Sequence, residues 1–481
     1  MATPTKVAVR SWGIFVNGEW LNEGERFEVR SPYDHSVVGE ARRGTAAHAE
    51  AAVAAAHRAF EKTKKLGAYE RQNILRAIAD GIRARHEEFS QLMCLEAGKP
   101  IKAARLEIDR SIFTFAVAAE EATRITGEWL PLDLQSSTAG RSGIVRRFPL
   151  GPILAITPFN FPLNLVAHKV APAIAAGCTI VLKPAPQTPL CSLLLAEVVA
   201  NSGLPSGAFN VLPLANEEAE KLVTDDRLKM LTFTGSGKVG WALKQKAGKK
   251  KVTLELGGNA GVIVHSDADV QYAAERCVAG GFGYSGQTCI SVQRIYVQRN
   301  VEEKFLSALL AGVKKLKAGN PADESTDVGP LIDEGAARRV ADWINEAVAG
   351  GAKVEVGGKR DGATVEPTVL THTRPEMKVS CQEVFGPVVI VEPYDEFSDA
   401  IRQVNDSPNG LQAGLFTRDV KLLFEAFENI EVGAVIAGDT SSFRIDHMPY
   451  GGVKESGLGR EGLRYAIEEM TEPRLLVLNI R

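Results

Sequence analysis

Cysteine is scarce in this chain, with six residues in 481, and none falls in a CxxC or CxxH pairing. Cys94, Cys178, Cys191, Cys277, Cys289 and Cys381 therefore offer neither a disulfide framework nor zinc-ligand spacing, and a reducing, cytoplasmic setting without a bound metal is expected. A basic excess is also missing. Lys plus Arg number 56 against 59 Asp plus Glu, for a net charge of -3, which argues against a polyanion-binding surface for nucleic acid. The longest apolar stretch, around Val170–Leu182, contains Pro172 and Gly177 and is too short to cross a bilayer. Lys6 and Arg10 are not followed by the apolar core of a signal peptide. Neither an internal repeat nor a low-complexity segment is present. What remains is a soluble, multi-lobed chain, long enough for roughly three units at ~150 residues each.

Its patterning supplies the organisation. Gly13–Val16 and Phe27–Val29 read as short strands, separated by the turn signal Asn17-Gly18. Helical spacing runs through Ala46–Phe60, through Ala68–Ala97 as one helix stopped by Gly98-Lys99-Pro100, and from about Lys102 to Ile125. From Gly143 the chain alternates strand, loop and helix. Ile153–Thr157, Thr179–Leu182, Phe209–Leu212 and Lys229–Phe233 are buried-strand candidates, which indicates a parallel, doubly wound sheet. Val252–Leu256 and Gly261–Val264 open a second α/β region, with further strands near Arg294–Gln298 and Val388–Val391. The tail Arg474–Asn479 reads as an isolated strand without a local partner, of the kind that pairs with another lobe or subunit.

Several segments carry chemistry. The loop from Phe233 to Gly240 follows a strand and opens a helix, where free N–H groups and a positive dipole end favour a phosphate. It departs from GxGxxG, so by itself it is also compatible with a plain tight turn. Cys289 lies in Gly286-Gln-Thr-Cys-Ile-Ser291; a lone cysteine is usually a small buried hydrophobe. Here it keeps company with Glu255, a carboxylate among apolar residues at a strand end and so a candidate base, and with Asn160 between Pro158 and Pro162.

Taken together, Pro158-Phe-Asn-Phe-Pro162, Leu182-Lys-Pro184, Phe233-Thr-Gly-Ser236, Glu255-Leu-Gly-Gly258, Gly286-Gln-Thr-Cys289, Glu383-Val-Phe-Gly-Pro387 and the segment from Pro449 to Gly457 resemble the NAD(P)-dependent aldehyde dehydrogenase superfamily over essentially the whole chain. The resemblance implies an α/β fold with two doubly wound parallel-sheet lobes and a small β oligomerisation flap. It divides the chain into an NAD(P)-binding domain (1–126 and 150–256), a catalytic domain (257–455), and a flap with C-terminal strand (127–149 and 456–481). It implies Cys289 as nucleophile, Asn160 as oxyanion donor and Glu255 as the base that hydrolyses a thioester. For the cofactor it implies Thr157, Pro158, Lys183, Pro186, Gly235, Ser236, Val239, Leu256, Glu383 and Phe385. Many NAD-preferring relatives carry Glu at the position of Pro186; the missing carboxylate removes repulsion against a 2′-phosphate, so NADP is expected to be used as well, with NAD first. A homodimer or homotetramer acting on a small-molecule aldehyde, away from nucleic acid and membrane, completes the expectation.

Substrate choice turns on two arginines. The resemblance places Arg444 at a loop position that is aromatic in relatives acting on simple aldehydes, and Arg110 on the tunnel-facing side of the third helix. Guanidinium forks match carboxylate, sulfonate or phosphate. With Asn164 and Ser442 adding polar contacts, an aldehyde bearing an anionic or hydroxyl group is expected, of succinate semialdehyde, lactaldehyde or glyceraldehyde 3-phosphate type. Against it stand surface pairing of Arg110 with Glu107, and pairing of Arg444 with Asp446 or with a neighbouring subunit. Thr288 stands where several phosphate-specific relatives have Arg. His168 is read as near the substrate channel or simply packed, and Cys381 as a poor rival nucleophile. The alternatives are a general aliphatic or aromatic aldehyde dehydrogenase, a CoA-acylating semialdehyde enzyme, and a non-enzymatic protein reusing the fold.

Overall fold

A computed structural model describes residues 10–479; the expectation at Lys6 lies outside the described residues. Among the described residues, two large sheets, two three-stranded sheets and two two-stranded pieces make up the β-structure. The first large sheet has eight strands, in the order Gly457–Leu458, Lys251–Glu255, Met230–Thr234, Pro152–Ile156, Thr179–Lys183, Phe209–Val211, Ile14–Val16 and Glu19–Leu21. Its five inner strands are mutually parallel, and antiparallel pieces close both edges. Every residue of Pro152–Ile156, Thr179–Lys183 and Met230–Thr234 is buried, as expected where helices cover both faces of a parallel sheet. The second sheet has seven strands, running from Lys353–Val356 through Thr368–Thr371, Val388–Tyr394, Val292–Gln298, Ala260–Val264 and Gln412–Phe416 to Ala434–Ala437.

The N-terminal helices are α1 (Ala46–Thr63), α2 (Ala68–Ala84), α3 (His86–Ala97) and α4 (Ile101–Glu121), followed by α5 (Asn164–Ala176). The single helix expected over Ala68–Ala97 is thus two. Arg85 leaves helical geometry at φ -114°, ψ 22°, and its side chain ties to Glu88 and Glu197. No glycine or proline marks this break; tertiary ion pairing at Arg85 accompanies it. α5 is buried on all sides, consistent with its nearly continuous apolar sequence.

The terminal strand Thr471–Asn479 has no local partner and pairs with another lobe of the same chain, one of the two arrangements expected for it. It pairs antiparallel along all of Arg141–Pro149, which in turn pairs with Glu128–Pro131. The partner lies more than 300 residues upstream, so local sequence gave no sign of it. Gly457–Leu458 joins the eight-stranded sheet, and Leu463, Ile467 and Met470 enter the core beside α4 and α5. Of the span 456–481, the small sheet therefore takes only the part from Thr471 onward.

Candidate functional site

The carboxyl ends of the inner strands of the eight-stranded sheet bring the chemistry together, where ligands of open α/β sheets bind. Thr157 and Pro158 follow the strand ending at Ile156, while Lys183, Thr234 and Glu255 are themselves terminal strand residues. Facing them is the loop that carries Cys289. Tyr284 and Ser285 have φ of 49° and 56°, and Gly286 follows at 70°. Such consecutive left-handed residues are strained and persist only when neighbours hold them. Here the Tyr284 hydroxyl donates to the Ala97 carbonyl, the Ser285 hydroxyl to the Gly329 carbonyl, and Gln287 Oε1 accepts from the Ile332 amide. A β-carbon at Gly286 would collide with the Gly386 backbone, and one at Gly258 with the Cys289 carbonyl.

Two spaces meet at Cys289. The larger, about 330 Å³, is lined by Arg110, Asn160, Asn164, Cys289, Ser442 and Arg444, with Lys99, Phe161, Tyr284 and Tyr450 completing its walls. The other, about 280 Å³, runs past Pro158, Gly235, Ser236, Glu255, Leu256, Glu383 and Phe385 to Cys289. Asn160, Leu165 and Cys289 belong to both. Among the expected cofactor residues, Val239 and Pro186 are exposed, and Val239, Pro186, Lys183 and Thr157 do not line this groove. Lys183 Nζ donates to Asn216 Oδ1 at 2.7 Å, and burial lowers its pKa to about 8.

Burial pushes the Cys289 thiol up to about 11, with the hydrogen-bonding contact at Tyr450, 2.9 Å from Sγ, working in the opposite direction. Asn160 donates from Nδ2 to the Gln287 carbonyl at 2.9 Å, so one amide hydrogen stays available beside the sulfur. Both carboxylate oxygens of Glu255 are buried and make no hydrogen bond among the described residues. Burial, reinforced by the charge of Glu461, holds Glu255 well above the ordinary carboxylate range. Glu383 is raised to about 7 by burial, although Oε1 accepts the Gly258 N–H at 2.9 Å.

Neither arginine pairs as the sequence suggested. Arg110 binds Asp446 through Nε (3.1 Å) and Nη2 (2.7 Å), not Glu107. Glu107 forms a buried ion pair with Lys99, and its Oε1 accepts the backbone N–H groups of Leu163 and Asn164 at the start of α5. Lys99 Nζ lies 3.8 Å and 4.2 Å from the ring centres of Phe161 and Tyr284. Arg444 donates from Nη2 to Glu461 at 3.0 Å, and its guanidinium lies 3.6 Å from the centre of the Tyr450 ring. Glu461 also receives Lys169 Nζ at 3.1 Å. Among the described residues the Nη1 atoms of both arginines have no hydrogen-bond partner, and Arg444 Nε is buried without one.

Asp446, which the sequence offered only as a partner for Arg444, is the hub of this wall. Its Oδ1 also accepts Asn164 Nδ2 at 3.0 Å and contacts His168 Nε2 at 2.8 Å. Burial opposes the charge on Asp446, but His168 and Arg110 hold its pKa well below the ordinary value. His168 is buried behind the cavity and does not line it; burial and then Arg444 lower its pKa. Cys381 donates from Sγ to the Glu376 carbonyl at 3.7 Å and lines neither space. Nothing in the local sequence assigns Lys99, Lys169, Tyr450 or Glu461 to the site, although Tyr450 lies in the Pro449–Gly457 segment.

Comparison with known proteins places this geometry. The chain is 47% identical to the 3-sulfolactaldehyde dehydrogenase of Priestia aryabhattai, over 98% of this chain and 99% of that protein. The crystal structure of aldehyde dehydrogenase 21 from Physcomitrella patens in complex with the reaction product succinate superposes with a TM-score of 0.97 at 45% identity, covering 98% of this chain and 99% of that one. Glyceraldehyde-3-phosphate dehydrogenase from Methanocaldococcus jannaschii complexed with NADP gives a TM-score of 0.92 at 40% identity, covering 96% of this chain and all (100%) of that one. The profile of the aldehyde dehydrogenase family spans residues 20–476, and the chain belongs to that family.

Proposed function

We propose that the chain oxidises a small aldehyde carrying a negatively charged head group to its carboxylic acid, with NAD and also NADP as acceptor. The observation that carries this reading is the placement of Arg110 and Arg444 in one cavity with Cys289, each with an uncommitted Nη1. Arg110 and Arg444 each hold a carboxylate, but Arg444 shares Glu461 with Lys169, and the positive charge left over in this wall is stabilised by an anionic head group. The relatives' names, 3-sulfolactaldehyde dehydrogenase and a structure holding succinate, support the same class.

Cys289 supplies the nucleophile. As thiolate its sulfur bonds to the carbonyl carbon, and the carbonyl π pair moves onto oxygen, where the free Asn160 amide hydrogen and the Cys289 N–H stabilise it. A nicotinamide cofactor, which Gly235, Ser236, Glu383 and Phe385 would hold along the groove, would supply the hydride acceptor, and the acyl group would then remain on the Cys289 sulfur as a thioester. Glu255 then removes a proton from water, whose oxygen attacks the acyl carbon. The C–S bond breaks and the acid departs. The groove residues fit such a cofactor. Ser236 starts the helix Gly237–Lys246 without a side-chain cap bond, so its first amides face outward for a phosphate. Glu383 closes on Gly257 so tightly that a β-carbon there would clash, and Phe385 lines the same groove. Pro186 brings no carboxylate to repel a 2′-phosphate.

The small sheet exposes Trp129, Leu475, Leu476 and Val477, and the adjoining loop exposes Leu134; this apolar surface supports assembly as a homodimer or homotetramer. All six cysteines are unpaired, which suits the reducing cytoplasm. Among the described residues no helix is long and apolar enough to cross a membrane.

The test is a substrate panel of succinate semialdehyde, lactaldehyde, glyceraldehyde 3-phosphate and hexanal, read at 340 nm with each cofactor. Preference for hexanal defeats the anionic class, and absence of turnover at millimolar NAD defeats the cofactor reading. Acyl-CoA as the product when CoA is added would move the enzyme to the acylating branch. Light scattering that shows a monomer would overturn the assembly.

A further inference from the structure

The charges around the substrate cavity do not balance, and the imbalance is small. Lys99, Arg110 and Arg444 line the wall as cations, and Glu107 is the one carboxylate that lines it with them. Lys99 is cancelled by Glu107, with which it forms a buried pair. Arg110 is cancelled by Asp446, which stands behind the wall with its side chain 2% exposed. Arg444 shares Glu461 with Lys169, so that trio keeps a single positive charge. His168 adds nothing near neutral pH, because burial and Arg444 hold it uncharged.

We infer that Asp446 is a specificity-determining residue: it fits the cavity to a head group with one negative charge, a carboxylate or sulfonate, and against a phosphate with two. This rests on the anionic-aldehyde reading above and narrows it. A monoanion meets the surplus charge of Arg444. A dianion leaves one charge uncompensated in a wall of buried groups, where such a charge is costly. The position of Asp446 makes the device specific. Its two oxygens hold Arg110 at both Nε and Nη2, while Oδ1 also takes Asn164 and His168, so one carboxylate sets the charge and the direction of the wall together. Removing its charge without its shape frees Arg110 and raises the surplus from one to two.

The experiment compares kcat/KM for succinate semialdehyde and glyceraldehyde 3-phosphate in the wild type, Asp446→Asn and Asp446→Glu. It is run at about pH 8, above the second phosphate pKa of ~6. The wild type is expected to favour the carboxylate substrate. Asp446→Asn should raise the phosphate-to-carboxylate ratio by about tenfold or more, and Asp446→Glu should return it towards wild type. A structural role alone would lower both substrates equally, and an unmoved ratio, or a wild type that prefers the phosphate, overturns the inference. Should Asp446→Asn not fold, protection of wild-type Cys289 from iodoacetamide decides. The monoanion 4-hydroxybutyrate is expected to protect at about tenfold lower concentration than glycerol 3-phosphate, and equal protection overturns the inference. Hexanal preferred over both anions would remove the underlying reading, whereas anions preferred over hexanal with an unmoved ratio would remove this inference alone.

Discussion

The Tyr450 hydroxyl stands 2.9 Å from Cys289 Sγ, and the ring that bears it carries the Arg444 guanidinium 3.6 Å from its centre. One side chain thus touches both the nucleophile and the cation that marks the substrate cavity. The hydroxyl opposes the rise that burial imposes on the thiol. Tyr450→Phe should therefore move the thiol further above about 11 and shift the alkylation-rate profile of Cys289 to higher pH. An unshifted profile would show that the contact does not act on the thiol.

Cys289→Ser should abolish aldehyde-dependent reduction of NAD by about three orders of magnitude or more, since a hydroxyl is a far weaker nucleophile at neutral pH. Cofactor binding, followed by fluorescence, should survive. Turnover within tenfold of wild type would place the nucleophile elsewhere.

Glu255→Gln should uncouple the two halves of the reaction. Steady-state turnover is expected to fall by about 10²–10⁴, the usual worth of a positioned base. If deacylation is the step affected, a stopped-flow trace keeps a burst of reduced cofactor approaching one per site. Loss of burst and turnover together would assign Glu255 to thiol activation instead.

Arg444→Gln should lower kcat/KM for succinate semialdehyde by about 10–100-fold, the value of one charge-assisted hydrogen bond of ~1.5–3 kcal/mol. Hexanal should be affected much less. Equal losses on both aldehydes would mean that Arg444 only supports the wall through Glu461 and Tyr450.

Acid should weaken the folded state at two buried groups. His168 and Asp446 both have pKa values below their ordinary 6.5 and 3.8, so the unfolded chain binds more protons at each and stability rises with pH. The contribution of His168 is present above pH 6.5 and is lost as the pH falls; that of Asp446 is lost only below 3.8. Melting temperatures of His168→Gln measured from pH 6.5 down to about 5 should fall less steeply than wild type. Parallel slopes would exclude His168 as a source.

The sequence carried the parts of this molecule that depend on short-range pattern. The buried parallel strands were legible as apolar runs between glycine- and proline-bearing loops, and Cys289, Glu255 and Asn160 stood out by local context. Arg110 and Arg444 were singled out and do line one cavity, yet their partners were misassigned. Asp446 lies 336 residues from Arg110 and 278 from His168, separations that no window of sequence spans. The same physics hid the partner of the terminal strand. It also hid the helix break at Arg85, where one long-range ion pair, to Glu197, accompanies the break in place of the usual glycine or proline signal.

That long separation has a consequence for how the site is assembled. Cys289 and Asn160 are already in the chain when its last part, the segment that brings Arg444, Asp446, Tyr450 and Glu461, is still to be made. The sulfur is encoded first, and the hydroxyl that tunes it and the cation that marks the substrate cavity come later. Docking of this segment brings Tyr450 against Cys289 and Arg444 against Tyr450 together, so tuning of the thiol and choice of substrate are completed in one step.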